Sequence, residues 1–176
     1  MSRCCAQALL LSVTCALLAG CSPTLNWREV RPPESQLLLL FPCKPGAQER
    51  RLALAGQPAR LTLHACSAAG QTWGLAVADV TDPVRITPAL AEFVASATAN
   101  IGGAPSRPAP FLVHGATPNP GSLRLRLQGR LPDGKPVHMQ VAVFTHGTRV
   151  FQATVLGEEV GAEAAGIFFD GLRVLP

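Results

Sequence analysis

The pattern of this chain predicts an α+β fold, a largely antiparallel sheet with helices packed on it. Three observations point there. Leu123, Leu125 and Leu127 alternate with Arg124, Arg126 and Gln128, while Val137, Met139, Val141 and Val143 alternate with His138, Gln140 and Ala142. That is the period of two imposed by a pleated strand. Helical spacing is confined to Leu90, Phe93, Val94, Ala97 and Ile101, and to a terminal stretch around Ile167, Phe168 and Leu172. Short turn signals, rather than long crossovers, separate most strands, as hairpin-joined antiparallel neighbours require.

The first element is not expected to fold with the rest. Arg3 precedes the apolar run Cys4 to Leu18, followed by the small residues Ala19 and Gly20. That order describes a secretory signal over residues 1–20, and the run is short of the roughly 20 apolar residues a membrane span needs. Leu18-Ala19-Gly20-Cys21 resembles the lipobox of bacterial lipoproteins at all four positions. The resemblance implies diacylglyceryl transfer to the Cys21 sulfur, cleavage before Cys21 and acylation, of the palmitate kind, at the new amino terminus. Ser22 rather than Asp follows the cysteine, which by similarity to lipoprotein sorting rules favours the outer membrane over the inner, with the chain facing the periplasm.

The signal also distorts the composition. Of 176 residues, 48% are hydrophobic, with 15 Lys+Arg against 11 Asp+Glu. Removing 20 residues leaves 156, and only Arg3 leaves the charge count, so 14 basic face 11 acidic residues, a net +3. This mild excess is too weak to argue for a nucleic-acid partner, none being expected, and anionic lipid nearby would account for it equally well; the length suits one domain. Cys4, Cys5 and Cys15 leave with the signal and Cys21 is consumed by lipid. Cys43 and Cys66 then remain as an even pair in an oxidising compartment, and a single disulfide is expected, contributing roughly 3 kcal/mol through loop closure.

Residues 21–34 contain Pro23, Pro32 and Pro33 and read as a lipidated tether with an edge strand near Asn26 to Val30; residues 35–176 form the single α+β domain. Leu37 to Phe41, ended by Pro42, is a buried strand. Arg50 to Leu54 and Arg60 to Cys66 form a hairpin around Ala55-Gly56-Gln57-Pro58. With Gly56-Gln57 at the turn, Cys66 would lie near Gln48 and Glu49, a few residues from Cys43. Within the second strand Leu61, Leu63 and Ala65 would face the core, and Arg60, Thr62 and His64 the solvent. Thr72 to Val80 is a further strand. Thr87-Pro88 predicts an N-cap and first helical position for a helix over Pro88 to about Asn100, stopped by Gly102-Gly103.

The Pro-rich segment Ala104 to Pro120 is a loop with a short strand at Phe111 to His114. For the following hairpin, a two-residue turn would set Arg126 against Val141, whereas the three-residue loop Pro132-Asp133-Gly134 pairs Arg126 with Gln140 and Leu127 with Met139. Matching polar to polar selects the longer loop. Gly147 turns the chain into a last strand, Arg149 to Leu156, and Glu158 to Asp170 predicts a terminal helix with Gly171 as its stop and Ile167, Phe168 and Leu172 on its core face.

Several packing motifs now point to a family. "LLLLFPCKP" follows Trp27-Arg28, and "RVFQATVLG…AAGIFFDGLRVL" runs from a hairpin strand into a final helix. Together these resemble PsbP/Mog1-like domains over most of residues 25–175. The resemblance implies an α/β/α sandwich on an antiparallel sheet and membership of a group of mainly non-enzymatic binding, assembly or accessory proteins, without shared catalytic residues. Cys43 and the complete lack of Tyr depart from the family pattern.

Sequence motifs for chemistry are few. The chain has no Gly-rich phosphate loop, G-x-S-x-G, H-E-x-x-H or C-x-x-C. His138 and His146 share a strand but are eight residues apart, about 26 Å at strand rise, too far for one metal. No cofactor is implied. Asp79 and Asp82 could flank a cleft, the helix-entry loop being the simpler account. Arg124, Arg126 and Arg130, with Gln128 and, across the ladder, His138 and Gln140, form a basic strip. Its simpler account is the solvated face of a sheet; its functional account is the docking of an acidic partner, lipid headgroups or an anionic glycan. Trp27 and Trp73 read as packing residues. The expected function is that of a lipid-anchored envelope protein, held in the membrane through Cys21, that binds or scaffolds another envelope protein without catalysis. The alternatives are a carrier of a small apolar or anionic ligand, and an enzyme with its site near Asp79 and Asp82.

Overall fold

The computed structural model describes residues 24–176; the signal segment and Cys21 lie outside the described residues. The chain runs β1 (Arg28–Val30), β2 (Leu37–Phe41), β3 (Gly46–Leu54), β4 (Gln57–Ala68), β5 (Gln71–Asp79), a 3-10 turn (Pro83–Arg85) and α1 (Ile86–Asn100). It continues through β6 (Ala104–Pro105), β7 (Ala109–Pro110), β8 (Leu123–Arg130), β9 (Pro136–His146), β10 (Arg149–Gly157), α2 (Ala162–Asp170) and β11 (Arg173–Val174). The fold is mixed α+β and dominated by sheet. An eight-stranded sheet has the order β3-β4-β5-β10-β9-β8-β6, with β7 also on β8, and a three-stranded sheet has the order β1-β2-β11. All their strand pairings are antiparallel.

The large sheet is buried on both faces at its centre. Val150 and Phe151 are adjacent in β10 yet enter different cores, because successive side chains leave opposite faces. On one face, Leu90 and Phe93 of α1 meet Ala78, Val143 and Val150, and Ala97 and Ile101 meet Leu125, Leu127 and Val141. On the other, α2 and β2 cover Trp73, Phe144 and Phe151. Phe168 sits in the middle of that second core, 5.4 Å from Phe41 and 5.3 Å from both Trp73 and Phe169, in edge-to-face contacts. Trp27 adds an edge contact to Trp73 at 5.9 Å.

The β8–β9 register is the expected one. Arg126 faces Gln140 and Leu127 faces Met139. Leu131 and Lys135 close the loop with a 2.9 Å bond, and Gly134 holds the left-handed conformation at φ +85°. Cys43 and Cys66 are bonded, with Cα atoms 6.0 Å apart. The bond joins the segment after β2, in the small sheet, to β4 in the large one.

Local expectations fail at several points. The first hairpin turns at Ala55-Gly56, both at positive φ, so Gly46 pairs with Ala65 and Cys66 lies past the last pair rather than beside Gln48 and Glu49. This two-residue geometry matches the twist of the strands. His64 is buried and Leu61 and Leu63 only half-buried, because α2's core lies on the His64 side while α1 covers little of β4. Asp82 caps the 3-10 turn ahead of α1, accepting from the Val84 amide at 3.0 Å; α1 itself starts at Ile86 with no side-chain cap, and Thr87, already inside the helix, pairs with Asn119. Phe111 to His114 forms no strand beyond a single bridge from His114 to Arg173. Pro105 and Pro110 instead sit in β6 and β7 along the rim of β8, where a residue without an N–H is tolerated. Helix α2 starts at Ala162, not Glu158, and buries Ala165, Phe168 and Phe169 while Ile167 is 38% exposed. Positions 165, 168, 169 and 172 form the i, i+3, i+4, i+7 stripe, and Ile167 falls off it.

Candidate functional site

The β8 strand aims Arg124, Arg126 and Gln128 to the face that carries α2. Arg124 lies opposite Ala142, whose small side chain leaves room for the guanidinium to reach diagonally and donate from Nη2 to Gln140 Oε1 at 2.7 Å. Helix α2 then brings the Phe169 ring to 4.0 Å from Arg124 Cζ. A guanidinium held by a side-chain amide and stacked on a ring is fixed in orientation.

A second wall comes from the Pro-rich segment. Ala109 pairs with Arg124 and Pro110 with Leu123. Ser106 is bonded twice to Arg126, its amide donating to the Arg126 carbonyl at 2.8 Å and its Oγ accepting from the Arg126 amide at 3.0 Å. This stitching carries Arg107 to the rim. Between that wall and α2 lies an open groove with two lobes that share Arg126. One, of about 540 Å3, is lined by Arg107, Phe111, Leu112, Arg124 and Asp170 among others. The other, of about 480 Å3, lies beside Gln128, His138, Met139, Gln140 and the residues leading into α2, Glu159 and Val160.

Charge in the lobe beside Arg124 is poorly balanced. Among the described residues, the side chains of Arg107 and Arg126 make no ion pair or hydrogen bond, and Arg124 makes no ion pair. Burial, reinforced by the Arg126 charge, pulls the Arg124 guanidinium below its ordinary value, with Asp170 opposing. A guanidinium does not lose its proton in a protein, so Arg124 stays a cation, partly stripped of hydration, with Asp170 as its nearby counter-charge.

The strip expected from sequence is therefore only partly assembled. Arg124 and Arg126 floor the groove and His138 borders its second lobe, with Nδ1 2.8 Å from the Glu158 carbonyl. Arg130 is not part of it; its Nη1 donates to the Gly134 carbonyl at 2.8 Å, within its own hairpin. Asp79 and Asp82 act in turns, accepting from the Thr81 and Val84 amides at 2.8 and 3.0 Å, and neither lines the groove. No group of three or more His, Cys, Asp or Glu among the described residues is placed to hold a metal, and no described helix is long and apolar enough to cross a membrane. Arg107, Phe169 and Asp170 were missed. Arg107 carries no periodic signal between its prolines, and the Phe169 contact follows only from the phase of α2. Compared with models of known protein families and with curated proteins, the chain gives no match.

Proposed function

We propose that this chain is a lipid-anchored lipoprotein of a bacterial cell envelope whose domain works by binding rather than by catalysis. The observation that carries the binding role is the groove between α2 and the Ser106 to Leu112 wall, with its immobilised and under-compensated Arg124 beside Arg126. The lipobox-like Leu18 to Cys21 supports the anchor, and a Cys43–Cys66 disulfide is consistent with an oxidising, periplasm-facing location. Two or three acyl chains on Cys21 would make the anchor stable, since one chain binds only marginally. An antiparallel sheet with a helix on each face supports the PsbP/Mog1-like reading and, with it, an accessory or assembly role. The outer membrane is the proposed destination.

Two experiments test this. Metabolic labelling with a fatty-acid analogue should mark the wild-type chain and not Cys21→Ala; equal labelling of both, or of neither, removes the anchor. Capture of envelope proteins from detergent-solubilised membranes should be lost in the charge reversals Arg124→Glu and Arg126→Glu, and kept in Arg130→Glu. Unchanged capture in all three would remove the groove as the binding face. A carrier of a small anionic ligand is the second reading, favoured by the volume of the lobe beside Arg124, about 540 Å3.

A further inference from the structure

We infer that the lobe between Arg124 and Arg107 is a site for a phosphate monoester carried on an apolar body. This rests on the groove being the binding face, and it specifies the chemistry that face takes. Three guanidinium charges, from Arg107, Arg124 and Arg126, meet the single carboxylate of Asp170 there, leaving two positive charges in excess. A phosphate monoester brings about −1.5 to −2 at pH 7 and three acceptor oxygens, whereas a carboxylate brings one charge and two. The Arg124 guanidinium is already paid for in orientation by Gln140 and Phe169. Only one of its donors is used by Gln140, so an N–H edge remains for the paired contacts that guanidinium makes with phosphate. Arg126, two residues along the same strand face and so about 7 Å away by backbone rise, supplies a second cation. Arg107 supplies a third from the opposite wall.

The apolar part of the ligand is set by the same wall. Phe111 lies against Phe169 at 6.3 Å, and Leu112 stands 88% exposed at the rim beside it. An exposed leucine next to three arginines serves no packing purpose within the domain; a hydrocarbon or ring attached to the phosphate would cover it. A water-soluble phosphoester and a lipid with a terminal phosphate share this chemistry, and the test separates them.

The full chain, purified in a neutral detergent, would be titrated calorimetrically with phenyl phosphate, benzoate and dioctanoyl phosphatidic acid. One phenyl phosphate per chain should bind, with benzoate at least about ten-fold weaker, the scale of a lost charge-assisted contact. Arg124→Gln and Arg107→Gln should each weaken phenyl phosphate about ten-fold or more, and Arg130→Gln should leave it unchanged. Arg107 lies on an exposed loop, so its variant tests the site without touching the core. Phosphatidic acid binding well above phenyl phosphate assigns the site to a lipid, and equal binding assigns it to a soluble phosphoester; either supports the inference. No binding of either phosphate at millimolar concentration, benzoate binding as well as phenyl phosphate, or wild-type affinity in both Arg107→Gln and Arg124→Gln overturns it. If protein capture depends on Arg124 while phenyl phosphate gives no heat, the phosphate class fails and the binding face stands. Unlabelled Cys21 would remove the anchor and leave the titration result untouched.

Discussion

Phe168→Ala offers the sharpest test of how α2 is seated. The ring is fully buried and has aromatic neighbours on three sides, Phe41, Trp73 and Phe169, at 5.3 to 5.4 Å. Truncating a buried Phe costs about 3–5 kcal/mol, and each edge-to-face contact adds about 0.5–1.5 kcal/mol beyond area. The upper half of that range, about 4–5 kcal/mol, is therefore expected, because the β-sheet below and β2 beside it leave little freedom to collapse. For a domain of this size that is a fall in Tm of roughly 8–20 °C. Ile167→Ala, one residue earlier but 38% exposed, should cost below about 1 kcal/mol. Urea unfolding of the full chain in detergent, followed by circular dichroism at unchanged m, measures both. A loss under about 2 kcal/mol for Phe168→Ala, or equal losses at the two positions, would refute the assigned phase of α2.

Three further outcomes follow from the fold. Replacing Cys43 and Cys66 together by serine opens a loop of sequence separation 23, and loop-closure entropy puts the loss at about 3.4 kcal/mol, read as a lower urea midpoint than that of the oxidised chain. Ala55 and Ala69 hold φ of 51° and 52° at their hairpin turns, so Ala55→Asn and Ala69→Asn should each stabilise by about 0.5–1 kcal/mol, and destabilisation by either would contradict the turn assignment. Burial holds the His64 imidazole below its ordinary value of 6.5, so the unfolded chain takes up its proton first; stability is present above that value and falls as pH drops through it. His64→Gln should flatten the dependence of the urea midpoint on pH between about 7 and 5, and an unchanged slope would deny His64 that role.

How much could be read from the residues alone depended on whether a signal was local. The β8–β9 register was legible because Pro132-Asp133-Gly134 and the polar-to-polar pairing act within one hairpin. Helix α1 was legible from its stripe, although Thr87-Pro88 is not its start: a 3-10 turn capped by Asp82 leads straight into Ile86, which makes a side-chain cap on α1 unnecessary. The turn of the first hairpin moved by one residue, and its register by two, because Ala55-Gly56 and Gly56-Gln57 are both plausible turns, and only the finished ladder selects between them. The site was half legible for a related reason. Alternation announces that Arg124 and Arg126 share a face, but not what lies over that face. Phe169, Asp170 and Arg107 arrive from elements distant in sequence, and Arg130 is drawn away by its own loop. Three consecutive apolar residues, Ile167, Phe168 and Phe169, leave the helical phase open until Ala165 and Leu172 are included.

The Cys43–Cys66 link has a mechanical consequence. Tension applied to the chain before Trp27 enters the domain at β1, which the ladder joins to β2 by three residue pairs, with the Asn26–Pro42 backbone bond and the Trp27–Trp73 contact beside them. Such a strand peels pair by pair under a load that the same pairs would resist in shear. Once β1 and β2 have let go, the pull arrives at Cys43 and passes through sulfur into β4, which is clamped between β3 and β5. The segment ahead of the covalent stop is thus residues 24–43, about 65 Å when taut, and drawing it out would uncover the core that Leu37, Leu39 and Phe41 of β2 help to close. Under reducing conditions that stop disappears, and the same tug would run on into β3.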